Sequence, residues 1–531
     1  MLSTTTVHPF RGVRVVARHR ASRARASNGE FATTQRVDVT KVVRLTTEAE
    51  ARAMRLRARD AKSDGASASM YVAEGERADE ESNAVVRSGM SFRRARDAVA
   101  VACLGAVAFG YHLGCVNPAL TQIARGLAIE HDINAKASIV SALLFACVFA
   151  SVGAGAMADR IGRKKALASA AVALFVGGVA CATASDARGM ILARFVSGLG
   201  VGAVSILVPM YVSEVSPDEH RGVLGSANQI SIGIGILLAA LAGTPLQYAN
   251  CDANWWRVMF WLSCAPALAL GVLLRFVPES PAWLRGKGRF QEADAAETHL
   301  FGAPTSKSAD ATVSAKTATW TEVLEGKSNR RAILTGPTLF LIQQFAGINA
   351  IIYFSTSIFE GAGVRLGVLA SVLVCVVNIL GSVIATSLLD RMGRKPLLAY
   401  SFLGMTVCCV GLAASTAFPT MAFAPLLALA AVVGYVFIFG MGAGPVPGLL
   451  SSEIFSPAVR GKGMSLCFLS HWAFNFCIGQ GFLPAVETFG ASVVYLFFGA
   501  FSFIGYAFAR NFVIETKGKS LEQISAEMNG K

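Results

Sequence analysis

The sequence predicts an all-α membrane protein with twelve transmembrane helices arranged as two parallel-repeat six-helix bundles. Three observations carry that prediction. Hydrophobic residues make up 53% of the 531 residues and charged ones only 15%, too apolar a mixture for an ordinary globular chain. From Ala98 onward, runs such as Ala98 to Val116, Ile139 to Met157 and Leu224 to Leu246 approach the roughly 20 apolar residues that cross about 30 Å of hydrocarbon. Lipid offers backbone N–H and C=O groups no partner, so such runs must be helices. Third, charged motifs between the runs recur at nearly one offset.

The first of these, Asp159-Arg160-Ile161-Gly162-Arg163-Lys164, returns 231 residues later as Asp390-Arg391-Met392-Gly393-Arg394-Lys395. Glu214 and Arg221 after the fourth run return 239 residues later as Glu453 and Arg460 after the tenth. Pro278-Glu279-Ser280 after the sixth is echoed 236 residues later by Glu515-Thr516-Lys517-Gly518 after the twelfth. An even number of spans per copy brings both copies in from the same face, so the repeat is parallel and a substrate path is expected between the halves.

The expected spans are 97–117, 137–157, 166–184, 190–211, 225–246 and 256–276, then 333–358, 366–388, 397–416, 421–445, 460–483 and 491–511. They define a leader over 1–96, bundles over 97–276 and 333–513, a polar, partly helical linker over 277–332, and a tail over 514–531.

The leader accounts for most of the net charge of +14, because residues 1–96 hold 19 Lys or Arg against 11 Asp or Glu. No acid precedes Glu30, whereas Arg11, Arg14, Arg18, Arg20, Arg23 and Arg25 alternate with Ser, Thr, Ala and Val, the pattern of an organelle transit peptide. The alternative is a disordered basic tail. Downstream bases sit in short loops, as topology determinants do, and no nucleic-acid partner is expected. The eleven cysteines lie mostly inside apolar runs and read as small buried hydrophobes. No metal-ligand spacing, phosphate loop or catalytic constellation is present, so no metal, no cofactor and no enzymatic activity are expected.

The repeated charges, Asp159, Arg160, Arg163, Glu214 and Arg221 with Asp390, Arg391, Arg394, Glu453 and Arg460, can form an ion-pair network when their membrane face closes, biasing a two-state carrier. The alternative is that they only fix topology. Repetition of the acids favours the gate, since the positive-inside rule needs no Asp or Glu.

Polar groups inside spans are few and nearly all uncharged: Gln229, Gln343, Gln344, Asn349, Asn378, His471, Trp472 and Asn475. Amides donate and accept as a sugar hydroxyl does, and an indole stacks on the C–H face of a pyranose, so a neutral polyhydroxyl substrate is expected. Polar contacts between helices are the alternative. Gly198, Gly200 and Gly202 permit close helix approach, while Gly442, Gly444, Pro445 and Pro447 interrupt the tenth span and form a candidate hinge.

These residues resemble the sugar porter family of the major facilitator superfamily over essentially all of 97 to 525. The carrying motifs are Gly155 with Asp159 to Lys164, Arg194 with its glycine run, Pro209-Met210-Tyr211-Val212-Ser213-Glu214 and Pro278-Glu279-Ser280-Pro281. They continue with Gln343-Gln344-Phe345-Ala346-Gly347-Ile348-Asn349, Gly444-Pro445-Val446-Pro447 and Glu515-Thr516-Lys517-Gly518. Phe109 to Gly114 and His471 to Phe476 look most like the plastid-envelope branch of that family.

The resemblance implies the major facilitator fold and a glucose-like hexose as partner in the lipid bilayer. It also implies hexose contacts at Gln229, Gln343, Gln344, Asn349, Asn378, Trp472 and Asn475. The chain is expected to work as a monomer. Ala282 stands where the family usually has Arg, and Gly440 and Gly448 where glucose facilitators tend to have Glu and Trp. His112 stands where proton-coupled relatives carry Asp, which leads us to expect facilitated diffusion; coupling through His112 is the alternative, since imidazole titrates near neutral pH. A non-transporting sugar sensor is a further alternative on the same scaffold.

Overall fold

Asp132 and Asp186 set where the second and fourth spans begin. Each sits in extended backbone and accepts from the N–H three residues on, Ala135 at 2.8 Å and Gly189 at 2.7 Å, satisfying one of the donors that a helix start leaves open. In the computed structural model the chain divides into two units between Gly89 and Met90. The described residues, 92–217, 220–248, 250–302, 330–363, 367–455, 459–519 and 521–528, all belong to the second. Residues 1–91 of the expected leader and 303–329 of the linker lie outside them.

Spans 1 to 6 are Phe92–Gly114, Ile133–Ile161, Arg163–Thr183, Ala187–Val215, Arg221–Ala242 and Trp255–Leu273. Spans 7 to 12 are Arg330–Gly361, Gly367–Met392, Arg394–Ala417, Ala424–Glu453, Arg460–Phe489 and Ala491–Asn511. Past Gly114 the first span continues as a helix over Val116–Gly126. Among the described residues eleven helices are long and apolar enough to cross a bilayer. Span 11 has the length, at 30 residues, but Ser470, His471, Asn475 and Gln480 dilute its apolar character. Spans 2 and 4, each 29 residues long, overrun the apolar segments read from the sequence, because their polar ends stay helical beyond the hydrocarbon.

Within the first bundle glycine lets backbones meet. A Cβ on Gly198 would lie 2.2 Å from the Leu143 carbonyl oxygen, and one on Gly235 would lie 2.2 Å from that of Val107. Such approaches are open only to glycine and set the packing of spans 2, 4, 1 and 5. Large apolar side chains such as Leu192, Val407, Leu426 and Phe503 point outward, as lipid-facing positions should.

The described part of the linker is a pair of helices, Pro281–Gly286 and Phe290–Phe301. Arg285 clamps them through Asp294 at 2.8 Å and Glu297 at 2.9 Å, over a small core of Leu284, Ala293 and Ala296. Arg94, in the first turn of span 1, donates to the carbonyls of Thr298 and His299, tying this pair to the first bundle.

Among the described residues, hydrogen bonds between the bundles gather at the face remote from the linker. Asn117 donates to Ser355 Oγ at 2.7 Å and accepts from the Thr356 N–H at 3.1 Å; Ser141 donates to Gln480 at 2.5 Å; the Leu369 N–H reaches Gln247 at 3.4 Å. Toward the linker face, Cβ atoms added at Gly153 and Gly155 of span 2, Gly225 of span 5, Gly448 of span 10 or Gly461 of span 11 would meet nothing within 4 Å. Among the described residues, the hydrogen bonds that join the two bundles thus hold them together at the far face.

Candidate substrate site

Two broken helices build the site. Span 7 stops at Phe345 and restarts at Ile348 around Gly347, whose φ of +99° is a left-handed conformation that favours glycine. In an unbroken helix residues five apart point about 140° away from each other. The break swings Asn349 back, so that its Nδ2 donates to Gln344 Oε1. Span 10 stops at Met441 and restarts at Pro445, leaving the Ala443 and Gly444 carbonyls free of the helix ladder. Gln343 Nε2 donates to both, at 2.6 and 3.4 Å.

Gln344 Nε2 then lies 2.9 Å from His471 Nδ1 on span 11 and 3.4 Å from Gln343 Oε1. One turn further along, Asn475 accepts from the Tyr353 hydroxyl at 3.1 Å. Trp472 is buried against His471 and against Phe109 of the other bundle, with ring centroids 5.0 and 5.9 Å away. Its Nε1–H is buried and meets no acceptor among the described residues.

Of the seven residues expected to contact substrate, the structure joins Gln343, Gln344 and Asn349 in one chain of hydrogen bonds. Trp472 and Asn475 lie beside it on span 11. Gln229, exposed on span 5, and Asn378, half-buried on span 8, have no part in that chain. His471 and Tyr353 were not among the seven. His471 had a signal in its four-residue spacing from Asn475; Tyr353 had none, because only the break at Gly347 brings it to span 11. Gly440 sits at a close crossing, its Cβ position 3.1 Å from the Asn378 carbonyl oxygen.

His112 lies elsewhere. It is fully buried in the first bundle, and neither ring nitrogen has a hydrogen-bond partner among the described residues. Its carbonyl accepts from the buried Arg194 at 2.8 Å, so an imidazolium there would face a guanidinium.

At the linker face the repeated charges pair within each bundle. Arg163 bonds Glu214 through two nitrogens, at 2.8 and 2.9 Å, and Asp159 at 3.0 Å. Its mate Arg394 reaches Glu453 once, at 3.0 Å, and Thr516 also donates to that carboxylate at 2.6 Å. Arg160 and Arg391 are exposed, Arg460 Nε is buried without a partner among the described residues, and the side chains of Arg221 and Asp390 lie outside those residues.

One further acid completes each cluster. Gly162 and Gly393, with φ of +97° and +88°, turn the chain so that the next two N–H groups face one carboxylate: Glu279 for Arg163 and Lys164, Glu515 for Arg394 and Lys395. A carboxylate at a helix start matches the positive end of its dipole. Partial burial alone would raise the Glu515 carboxyl, but backbone N–H donors of Lys517, Arg394, Lys395 and Thr516 outweigh it and hold the group below the usual carboxylate range. Ala282 lines a cleft of about 300 Å³ together with Asp159, Arg163 and Trp283, and the Trp283 indole donates to the Asp159 carbonyl at 3.0 Å.

A two-bundle membrane fold in which uncharged polar side chains of spans 7 and 11 gather beside Trp472, where it meets Phe109 of the other bundle, has the architecture of a secondary carrier. Residues 98–528 match the family model described as Sugar (and other) transporter, and the chain belongs to that family. It is a sugar transporter of the major facilitator type, not an enzyme. It is 42% identical over 455 residues to plastidic glucose transporter 4 of Arabidopsis thaliana, covering 84% of this chain and 83% of that one. The D-xylose-proton symporter of Escherichia coli K12 is 30% identical over 471 residues, 80% of this chain and 94% of its own. Among solved structures, an inward open conformation of the E. coli xylose transporter XylE superimposes with a TM-score of 0.69 at 28% identity, covering 81% of this chain and 98% of that one.

Proposed function

We propose that the chain carries glucose, or a closely similar neutral hexose, by facilitated diffusion across the inner envelope of a plastid. The observation that carries this reading is the site itself: Gln343, Gln344, Asn349, His471 and Asn475 offer uncharged donors and acceptors beside the Trp472 indole. Gln229 and Asn378, on spans 5 and 8, would complete the contacts once sugar draws the bundles together. A sugar entering from the linker face replaces water on these groups. Closure of that face, with release of the uncharged bonds between Asn117 and Ser355 or Thr356, then opens the other.

No carboxylate stands at His112 to take up a proton. That residue lies inside a bundle rather than at the path, which supports uniport. Each copy works alone, because the path lies between the bundles of one chain. The names of the plastidic relatives support reading residues 1–96 as a transit peptide.

Purified protein in sealed liposomes should exchange labelled for unlabelled glucose, and an imposed pH difference should not drive accumulation. Absence of exchange would remove hexose transport, as a sensor would require, and pH-driven accumulation would remove uniport. A fluorescent protein carrying residues 1–96 should enter plastids; retention in the cytosol would remove the transit peptide.

A further inference from the structure

We propose that the break in span 10 sets the direction of the hydrogen bonds that run from Gln343 through Gln344 to His471 and Asn349, so that His471 meets the sugar as a neutral donor through Nε2 and Asn349 as an acceptor through Oδ1. The inference rests on the hexose reading above and assigns the polarity of the same site.

The argument runs outward from two groups that can only accept. The Ala443 and Gly444 carbonyls, freed where the helix stops, each face Gln343 Nε2, and this fixes which end of the Gln343 amide is nitrogen. Both of that nitrogen's hydrogens are then used. Its oxygen points at Gln344, so the near atom of Gln344 must be its own nitrogen, which lies 3.4 Å from Gln343 Oε1 and 2.9 Å from His471 Nδ1.

A nitrogen that donates to Nδ1 requires Nδ1 to be bare, and a neutral imidazole with bare Nδ1 carries its proton on Nε2. The other end of Gln344 is an acceptor, filled by Asn349 Nδ2, which leaves Asn349 Oδ1 as the free lone-pair group. Reversing any one amide would set two N–H groups or two oxygens against each other. His471 is only part-buried, and its Nε2, unlike both nitrogens of His112, is not sealed away without a partner. The relay thus shows a sugar one N–H donor on span 11 and an acceptor on span 7, while the Trp472 Nε1–H beside them is buried.

Histidine-15N magnetic resonance of the full chain in lipid tests the tautomer without any need for transport. The resonance lost in His471→Phe, or in His471→Gln should the first variant fail to fold, should belong to an imidazole protonated at Nε2. An Nδ1–H tautomer or an imidazolium would overturn the proposal. In Gln343→Leu the same resonance should become a mixture of tautomers; a pure Nε2–H signal there would show that span 10 does not set the direction.

Competition by deoxy and deoxyfluoro glucoses against labelled glucose tests the consequence on the unaltered protein. At one ring position the deoxy sugar should compete about tenfold less well than glucose, as expected for one lost neutral hydrogen bond, while the fluoro sugar, which still accepts, recovers most of the loss. That recovery should vanish in His471→Phe. Equal weakness of the deoxy and fluoro sugars at every position would overturn the donor role while leaving hexose transport intact. Failure to transport any hexose, with the Nε2–H tautomer observed, would remove the functional reading and leave the relay standing.

Discussion

The two bundles repeat one layout but satisfy their buried polar groups in opposite ways. In the first, Arg194 donates to the backbone carbonyls of His112 and Ile139, and glycines press spans together until backbones touch. In the second, Gln343, Gln344, Asn349 and His471 bond mainly to one another and to carbonyls released by broken helices. Backbone-anchored packing makes a body with one arrangement. A side-chain network beside two breaks makes one that can exchange partners with a ligand. On this contrast we expect the first bundle to be the stiffer wall and the second the more adjustable one.

The sharpest way to break this contrast is to crowd the stiff wall. Gly198→Ala places a methyl 2.2 Å from the Leu143 oxygen. We expect a loss of about 3 kcal/mol or more, with little folded protein recovered after detergent extraction; a normal melting temperature would show that spans 2 and 4 yield. Gln344→Ala should leave the melting temperature within a few degrees but lower glucose exchange at least about tenfold, since it empties the centre of the relay. Unchanged kinetics would take Gln344 out of the site.

The linker-face clusters sharpen the comparison at smaller amplitude. Glu214→Gln disturbs a two-bond pair whose Arg163 side chain is only 10% exposed, and should destabilise by about 2 kcal/mol. Glu453→Gln, at a single-bond pair with both side chains more than 20% exposed, should cost about half as much. Equal melting shifts would mean that the two halves are not graded in this way.

The smallest effect concerns pH. Because Glu515 is held below its ordinary value, the unfolded chain binds its proton first, so the contribution of this group is full above the ordinary carboxylate range and is lost as pH falls through the lowered value. Glu515→Gln should flatten that acid limb of the stability profile by less than about 1 kcal/mol, a discount its partial exposure requires. An unaltered limb would assign acid loss to other groups.

Much of this architecture was legible in the residues. Apolar length and the recurrence of Asp159 to Lys164 at Asp390 to Lys395 report on single helices and on the repeat, and both survive in the chain as local patterns. The pocket was only partly legible. Gln343, Gln344 and Asn349 stand out because amides are scarce in spans, but that Asn349 bends back to Gln344, or that Tyr353 reaches Asn475, depends on the turn at Gly347, whose geometry no periodicity encodes. Span 11 shows the same limit from the other side. Its polar residues weaken the membrane signal because they face protein rather than lipid.

Glu279 follows the sixth span yet seals the start of the third, and Glu515 does the same for the twelfth and ninth. Each half of the carrier is thereby stitched back on itself like a hoop, its last strut pinned to its middle. A hoop resists being fanned open, so the displacement that moves cargo has nowhere to go but the seam between the two.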